Sequence, residues 1–195
     1  MSERFLPYGR QWVDEADIEA VVEVLHSDYL TTGPAVAGFE RALENATGAR
    51  HAIAVNSGTS ALHAMYFAAG LEAGDEIITS PLTFAATANA ALYLGAKVRF
   101  VDVQDDTGNL DPELVKASVS DSTKLIVPVD FAGHPADYVP LRKVANEAGV
   151  KLVADAAHSL GATYEGERVG TLADSTEVSF HPVKPVTTAE GGAVL

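Results

Sequence analysis

Ser179-Phe180-His181-Pro182-Val183-Lys184-Pro185-Val186-Thr187-Thr188-Ala189-Glu190-Gly191-Gly192 is the stretch on which the reading of this chain turns. A strand-like run, Thr176 to Phe180, leads into it, and an apolar run, Gly192 to Leu195, leaves it. Each proline removes a backbone donor and fixes φ, so a lysine between Pro182 and Pro185 cannot sit inside a regular helix or a central strand. Lys184 is therefore expected on a rigid loop at the end of a strand. In an open α/β sheet that is where ligands bind. A lysine so placed can form a Schiff base with an aldehyde. It can equally be a solvated surface lysine, as most lysines are, and the rest of the chain has to decide.

Working back from that loop, short apolar runs alternate with helical patterns. Strands are expected at His51–Val55, Glu76–Ser80, Lys97–Val103, Lys124–Val129, Val150–Asp155, Glu177–Phe180 and from Gly192 onward. Between them Ala61–Ala69, Phe84–Leu94, a segment opened by Asp111-Pro112, and Tyr138–Ala148 read as helices. Asp111 suits an N-cap, and Pro112 the first turn. Gly70 and Gly149 stand where glycine favours a helix end. This alternation predicts an α/β fold with a mostly parallel seven-stranded sheet flanked by helices. Upstream, Met1 to Val13 reads as an extended arm carrying Tyr8 and Trp12. Asp14 to His26 reads as a helix capped by Asp14, with Ile18, Val21, Val22 and Leu25 at helical spacing. After the loop Asp28 to Pro34 a second amphipathic helix is expected, with Val36, Phe39 and Leu43 inward, ending near Gly48.

Composition narrows the partners. The 195 residues are 47% apolar, which fits a folded domain rather than a disordered chain. The net charge of −14 argues against general affinity for nucleic acid or an anionic membrane. With no cysteine there is neither a disulfide nor a thiolate metal site. The histidines show no metal-ligand spacing, so no metal is expected. The first residues do not read as a signal peptide and no run spans a bilayer, which makes the cytoplasm the default location.

Neither a dinucleotide glycine pattern after the first strand nor a G-x-x-x-x-G-K-[ST] motif is present. Instead Asn56-Ser57-Gly58-Thr59-Ser60-Ala61-Leu62 joins the first strand to its helix. Gly58 lets the backbone approach a ligand, and the amides of Thr59 and Ser60 at a helix N-terminus can hold one phosphate. An ordinary Ser/Thr cap is the plain alternative. Asp155 ends an apolar strand, where a carboxylate is costly to bury unless it is paired. A protonated pyridine nitrogen would pair it; a cap on the segment that follows is the alternative. His158, three residues on, points to the same place if a helix starts there. Cradle, carboxylate, Lys184 and Ser179 all fall on one expected sheet edge, and together they specify pyridoxal 5'-phosphate (PLP) better than any does singly.

These residues, with Pro81-Leu82-Thr83-Phe84, Asp155-Ala156-Ala157-His158-Ser159 and the run from Ser179 to Gly192, resemble the DegT/StrS family of sugar-nucleotide aminotransferases, PLP enzymes of fold type I. Tyr8 and Leu30-Thr31-Thr32-Gly33-Pro34 also look like that family. The wording His181 to Thr188 is most similar to members that aminate UDP-4-keto-6-deoxy-N-acetylhexosamines, the UDP-4-amino-4,6-dideoxy-N-acetyl-altrosamine transaminases.

The resemblance implies that Lys184 holds PLP as a Schiff base and moves a proton. It implies that Asp155 pairs the ring nitrogen, His158 contacts the ring's hydroxyl side and Phe84 stacks on the ring. Gly58, Thr59, Ser60 and Ser179 would bind the phosphate, and Tyr8, Leu30, Thr31, Thr32 and Ser57 would face the sugar nucleotide. It further implies glutamate as amino donor and a homodimer. Residues 1–34 would be an arm, helix and substrate loop, and 35–195 the PLP-binding large domain. A smaller C-terminal domain belongs to the family and is absent from this chain, whose last apolar run is then a cut-short strand. Two other outcomes stay open: a non-catalytic fragment that binds PLP or a nucleotide sugar, and a PLP-dependent sugar dehydratase. Lys184 argues against the dehydratase, because the family's dehydratases carry histidine at its position.

Overall fold

The computed structural model describes residues 9–195. Nine strands and six α-helices are present among them. Seven strands form one sheet in the order β1 (Ile53–Val55), β9 (Gly192–Val194), β8 (Ser175–Ser179), β5 (Lys151–Asp155), β4 (Thr123–Val127), β2 (Glu76–Thr79) and β3 (Lys97–Phe100). Every pairing from β8 to β3 is parallel, and only β9 runs against its neighbours β1 and β8. The expected mostly parallel, seven-stranded α/β sheet is therefore what forms. The C-terminal ends of β1, β2, β4, β5 and β8 meet on one edge, together with the start of β9.

The strands are short because turn chemistry takes over early. β3 ends at Phe100, although Val101 still donates to Thr79 across the sheet. A two-stranded ribbon, β6 (Thr163–Tyr164) with β7 (Glu167–Arg168), had no separate signal in the sequence. Its turn needs φ of +49° at Glu165 and +89° at Gly166.

Helices cover both faces. On one, α3 (Gly58–Ala68) and α4 (Ala85–Tyr93) bring Leu62, Met65, Tyr66, Ala90 and Ala91 against Ile77, Leu125 and Val153. On the other, α5 (Pro112–Ser118) and α6 (Tyr138–Ala148) bring Val115, Leu141 and Ala145 against Ile78, Ile126 and Leu152. Full burial of one such aliphatic side chain contributes about 1.5–3 kcal/mol. Asp111 caps α5 through the amides of Glu113 and Leu114, with Pro112 at its first turn. Gly149 closes α6 in the left-handed region, as read from the sequence.

α2 (Pro34–Thr47) buries Leu43 beside Val178 and Phe180, and Phe39 meets the Phe180 ring edge-on at 5.1 Å. Val36 is 41% exposed, contrary to its expected inward position. The β1 edge engages only the later turns of the helix. α1 (Glu15–His26) has the cap expected of Asp14, here extended to a capping box by Asp17, yet it buries no residue. Among the described residues no helix is long and apolar enough to cross a membrane.

Candidate cofactor site

A cavity of about 650 Å³ opens on the edge where the strands end, within the range of small-molecule and cofactor sites. Its walls come from the α3 N-terminus, the loop after β2, Asp155 and His158 after β5, and the loop from Ser179 to Gly191.

Lys184 sits on that last loop. The loop is folded by Lys184 N donating to His181 O and Thr188 N donating to Phe180 O, and Thr187 Oγ1 also donates to Phe180 O at 3.0 Å. The Lys184 amine lies 2.7 Å from His158 Nε2. Burial, and then the neighbouring Lys184, hold the His158 imidazole below its usual range, with Asp155 opposing. A neutral imidazole leaves Nε2 free to accept from the lysine. His158 lies in a turn, since no helix starts after β5. The turn still delivers it to the lysine.

Asp155 is 5% exposed at the end of β5. It does not cap a helix. Its Oδ2 accepts from Thr87 Oγ1 at 2.5 Å and its Oδ1 from the Ala157 amide at 3.3 Å. These donors satisfy the hydrogen-bonding needs of a buried carboxyl group.

The cradle is built at α3, which starts at Gly58, three residues earlier than its expected start at Ala61. Ser57 caps it: its Oγ accepts from Ser60 N at 3.1 Å, and its carbonyl accepts from Ala61 N. That leaves the first amides of the helix, Gly58 and Thr59, turned to the cavity, where a helix N-terminus favours an anion. Gly192 packs onto this turn so closely that a Cβ there would lie 2.6 Å from Gly58 N. At Gly58 a Cβ would collide with Glu177 Oε1 and come within 3.0 Å of Ser179 Cβ. Both glycines are thus required by close approach. Spare helix-start amides, a satisfied acidic group and a lysine around one cavity match the phosphate, ring nitrogen and aldehyde of PLP.

The cavity therefore gathers Lys184, Asp155, His158, Gly58, Thr59, Ser179, Ser57 and Phe84. Phe84 is 77% exposed at its mouth. Ser60 does not line it, because its amide and hydroxyl both bond Ser57. Leu30, Thr31 and Thr32 lie on the exposed α1–α2 loop and do not line it either. Tyr8 lies outside the described residues.

Two participants were missed from sequence. Thr87, fully buried on α4, bonds Asp155; a lone threonine in the alanine-rich run Ala85–Ala91 was its signal. Glu177, also buried, lines the cavity from β8; an acid inside an otherwise uncharged strand was its signal. A third buried acid, Asp130, is held by Ser159 Oγ, by Tyr138 Oη at 2.8 Å and by Ala136 N at 2.9 Å. Among the described residues no cluster of potential metal ligands occurs.

A model of the DegT/DnrJ/EryC1/StrS aminotransferase family matches residues 11–195. A UDP-4-amino-4,6-dideoxy-N-acetyl-beta-L-altrosamine transaminase of Campylobacter jejuni is 45% identical over 193 residues, 97% of this chain and 51% of that protein. The fold superposes with a TM-score of 0.94 on Spr1654 of Streptococcus pneumoniae, described as a sugar aminotransferase and solved in a PLP form. That pair is 35% identical and covers 97% of this chain and 52% of the other. Helicobacter pylori PseC, an aminotransferase of pseudaminic acid biosynthesis, superposes at 0.92 with 39% identity, covering 96% of this chain and 51% of that one. The chain spans about half the length of the curated relatives it matches.

Proposed function

This chain belongs to the DegT/DnrJ/EryC1/StrS aminotransferase family, and from that premise we propose that it forms the PLP-binding part of an enzyme that transfers an amino group to a nucleotide-linked keto sugar. The observation that carries the proposal is the meeting of Lys184, His158, Asp155 and the α3 N-terminus around one cavity. When bound, PLP supplies an electron sink for the carbanion that forms at an amino donor's α-carbon. The chain's own groups do the rest. The amides of Gly58 and Thr59, with Ser179, hold the phosphate. Asp155, fixed by Thr87, keeps a proton on the ring nitrogen. Phe84, at the cavity mouth, would stack on the cofactor. Lys184 would attach the cofactor, and its amine would serve to hold and move a proton. His158, held neutral, accepts a hydrogen bond from the Lys184 amine and so orients it.

The C. jejuni relative is named for a UDP-linked 4-amino-4,6-dideoxy sugar, which supports a UDP-4-keto-6-deoxyhexosamine as acceptor; glutamate as donor follows from the family resemblance alone. Residues 35–195 serve as the cofactor domain in this reading, and 1–34 as an arm, helix and substrate loop. Phe67, Leu92 and Tyr93, 71%, 55% and 61% exposed on α3 and α4, support a homodimer that covers them. The test is turnover of a UDP-4-keto sugar with glutamate and PLP, followed by mass spectrometry. Amino-sugar formation that is lost in Lys184→Ala is expected. Loss of water from the sugar without amino transfer would contradict the proposal.

A further inference from the structure

Glu177 is a buried acid in the cavity wall that the proposed reaction leaves unused. It stands on β8 opposite Asp155 of the neighbouring parallel strand and is 1% exposed. The parallel register sets its carboxyl beside that of Asp155, and both line the cavity. Its Oε1 fills the space beside Gly58 that a Cβ would need, so the carboxyl reaches from the sheet to the first residue of the phosphate cradle. Its Oε2 is buried with no hydrogen-bond partner.

Two carboxyls in contact in a buried site do not both ionise; one keeps a proton. Asp155 already accepts from Thr87 and Ala157. Glu177 has no such donors. Burial first, then the neighbouring Asp155, push it well above the usual carboxylate range, and Lys184 opposes them. A buried oxygen with nothing to accept from is what a carboxylic hydroxyl leaves behind when its proton points to a neighbour. The other titratable groups facing the pair are Tyr66 from α3, Asp130 after β4, Tyr138 from α6, and Lys184 and His158 from the loops. Thr87 of α4 and Gly192 of β9 bring no charge.

We propose that Glu177 is a positioning residue for the cofactor: as a carboxylic acid it donates to Asp155, fixing with Thr87 the carboxylate that meets the ring nitrogen, and it keeps a second negative charge out of the floor of the phosphate cradle. The proposal rests on the reading of the cavity as a PLP site.

The test uses the 195-residue chain with Glu177→Gln, which keeps a donor of similar shape, and Glu177→Leu, which removes it. Without cofactor, thermal midpoints are measured from pH 5 to pH 9. A group whose folded pKa is raised holds its proton longer when folded, so stability falls as pH rises from the unfolded value through the folded one. The wild type should therefore lose midpoint relative to Glu177→Gln toward alkaline pH, with the two closest at pH 5. With PLP, the dissociation constant and the pH midpoint of the visible band are read. Glu177→Gln should bind within about threefold of wild type at pH 7. Glu177→Leu should bind about tenfold more weakly, the scale of a lost hydrogen bond to a charged group, with a displaced pH midpoint.

Parallel thermal profiles for wild type and Glu177→Gln would overturn the proton assignment. Equal PLP affinity and an unmoved pH midpoint in Glu177→Leu would overturn the positioning role. If the wild type itself forms no band, the cofactor reading fails and the positioning role with it. The thermal profiles without cofactor still decide the carboxyl pair.

Discussion

Replacing Thr87 by valine isolates the support under Asp155. The two side chains have nearly the same shape, so α4 keeps its packing and only the hydroxyl is lost. That hydroxyl has one hydrogen, and the 2.5 Å contact to Asp155 Oδ2 takes it. Thr83 Oγ1, at 2.6 Å, donates to Thr87 in turn. A hydrogen bond to a charged group contributes about 1.5–3 kcal/mol, and here the buried acceptor keeps only the 3.3 Å contact from Ala157 N and its Glu177 neighbour. Thr87→Val should therefore cost about 2 kcal/mol. For a chain of this size that is a thermal midpoint lower by about 4–8 °C. Thr87→Ser, which restores the donor, should recover most of it. PLP affinity, titrated by visible absorbance, should fall in the valine variant and return with serine. Valine and serine variants of equal stability and equal PLP affinity would refute the reasoning, because the Thr87 hydroxyl would then not be what holds Asp155.

Gly192→Ala forces a Cβ to within 2.6 Å of Gly58 N. The contact is to backbone, so a loss of about 3 kcal/mol is expected, with weaker PLP binding, read from thermal melts and titration. Tyr138→Phe removes the 2.8 Å hydrogen bond to buried Asp130; a cost of about 1–3 kcal/mol should appear in a thermal melt. Ring-proton NMR should place the His158 midpoint below the ordinary histidine value of about 6.5. Lys184→Met should raise it. Because the folded value is depressed, His158 contributes stability that is present above about 6.5 and is lost as pH falls through its folded midpoint. His158→Asn should lessen that acid-side loss.

The sequence revealed the sheet because buried strands alternating with helices leave a periodic record. The bounds of α6 and the cap of α5 could be read for the same local reasons, with Gly149 at one and Asp111-Pro112 at the other. The places of Lys184 and Asp155 at the cavity edge were legible because proline and a buried carboxyl are locally expensive. Other features depend on tertiary contact. Val36 follows a helical pattern, but whether it is covered depends on how far the β1 edge extends. Ser60 looks like a phosphate ligand until Ser57 takes its amide. Thr87 and Asp155 are 68 residues apart in sequence, and only the packing of α4 on the sheet joins them. Glu177 looked like an ordinary strand residue until the parallel register set it against Asp155.

The most direct measurement is the visible spectrum of the purified chain with PLP, before and after borohydride, followed by peptide mapping. The account predicts a band that reduction fixes as an adduct on Lys184, absent in Lys184→Ala. No band, or adducts spread over exposed lysines such as Lys116 and Lys143, would contradict it.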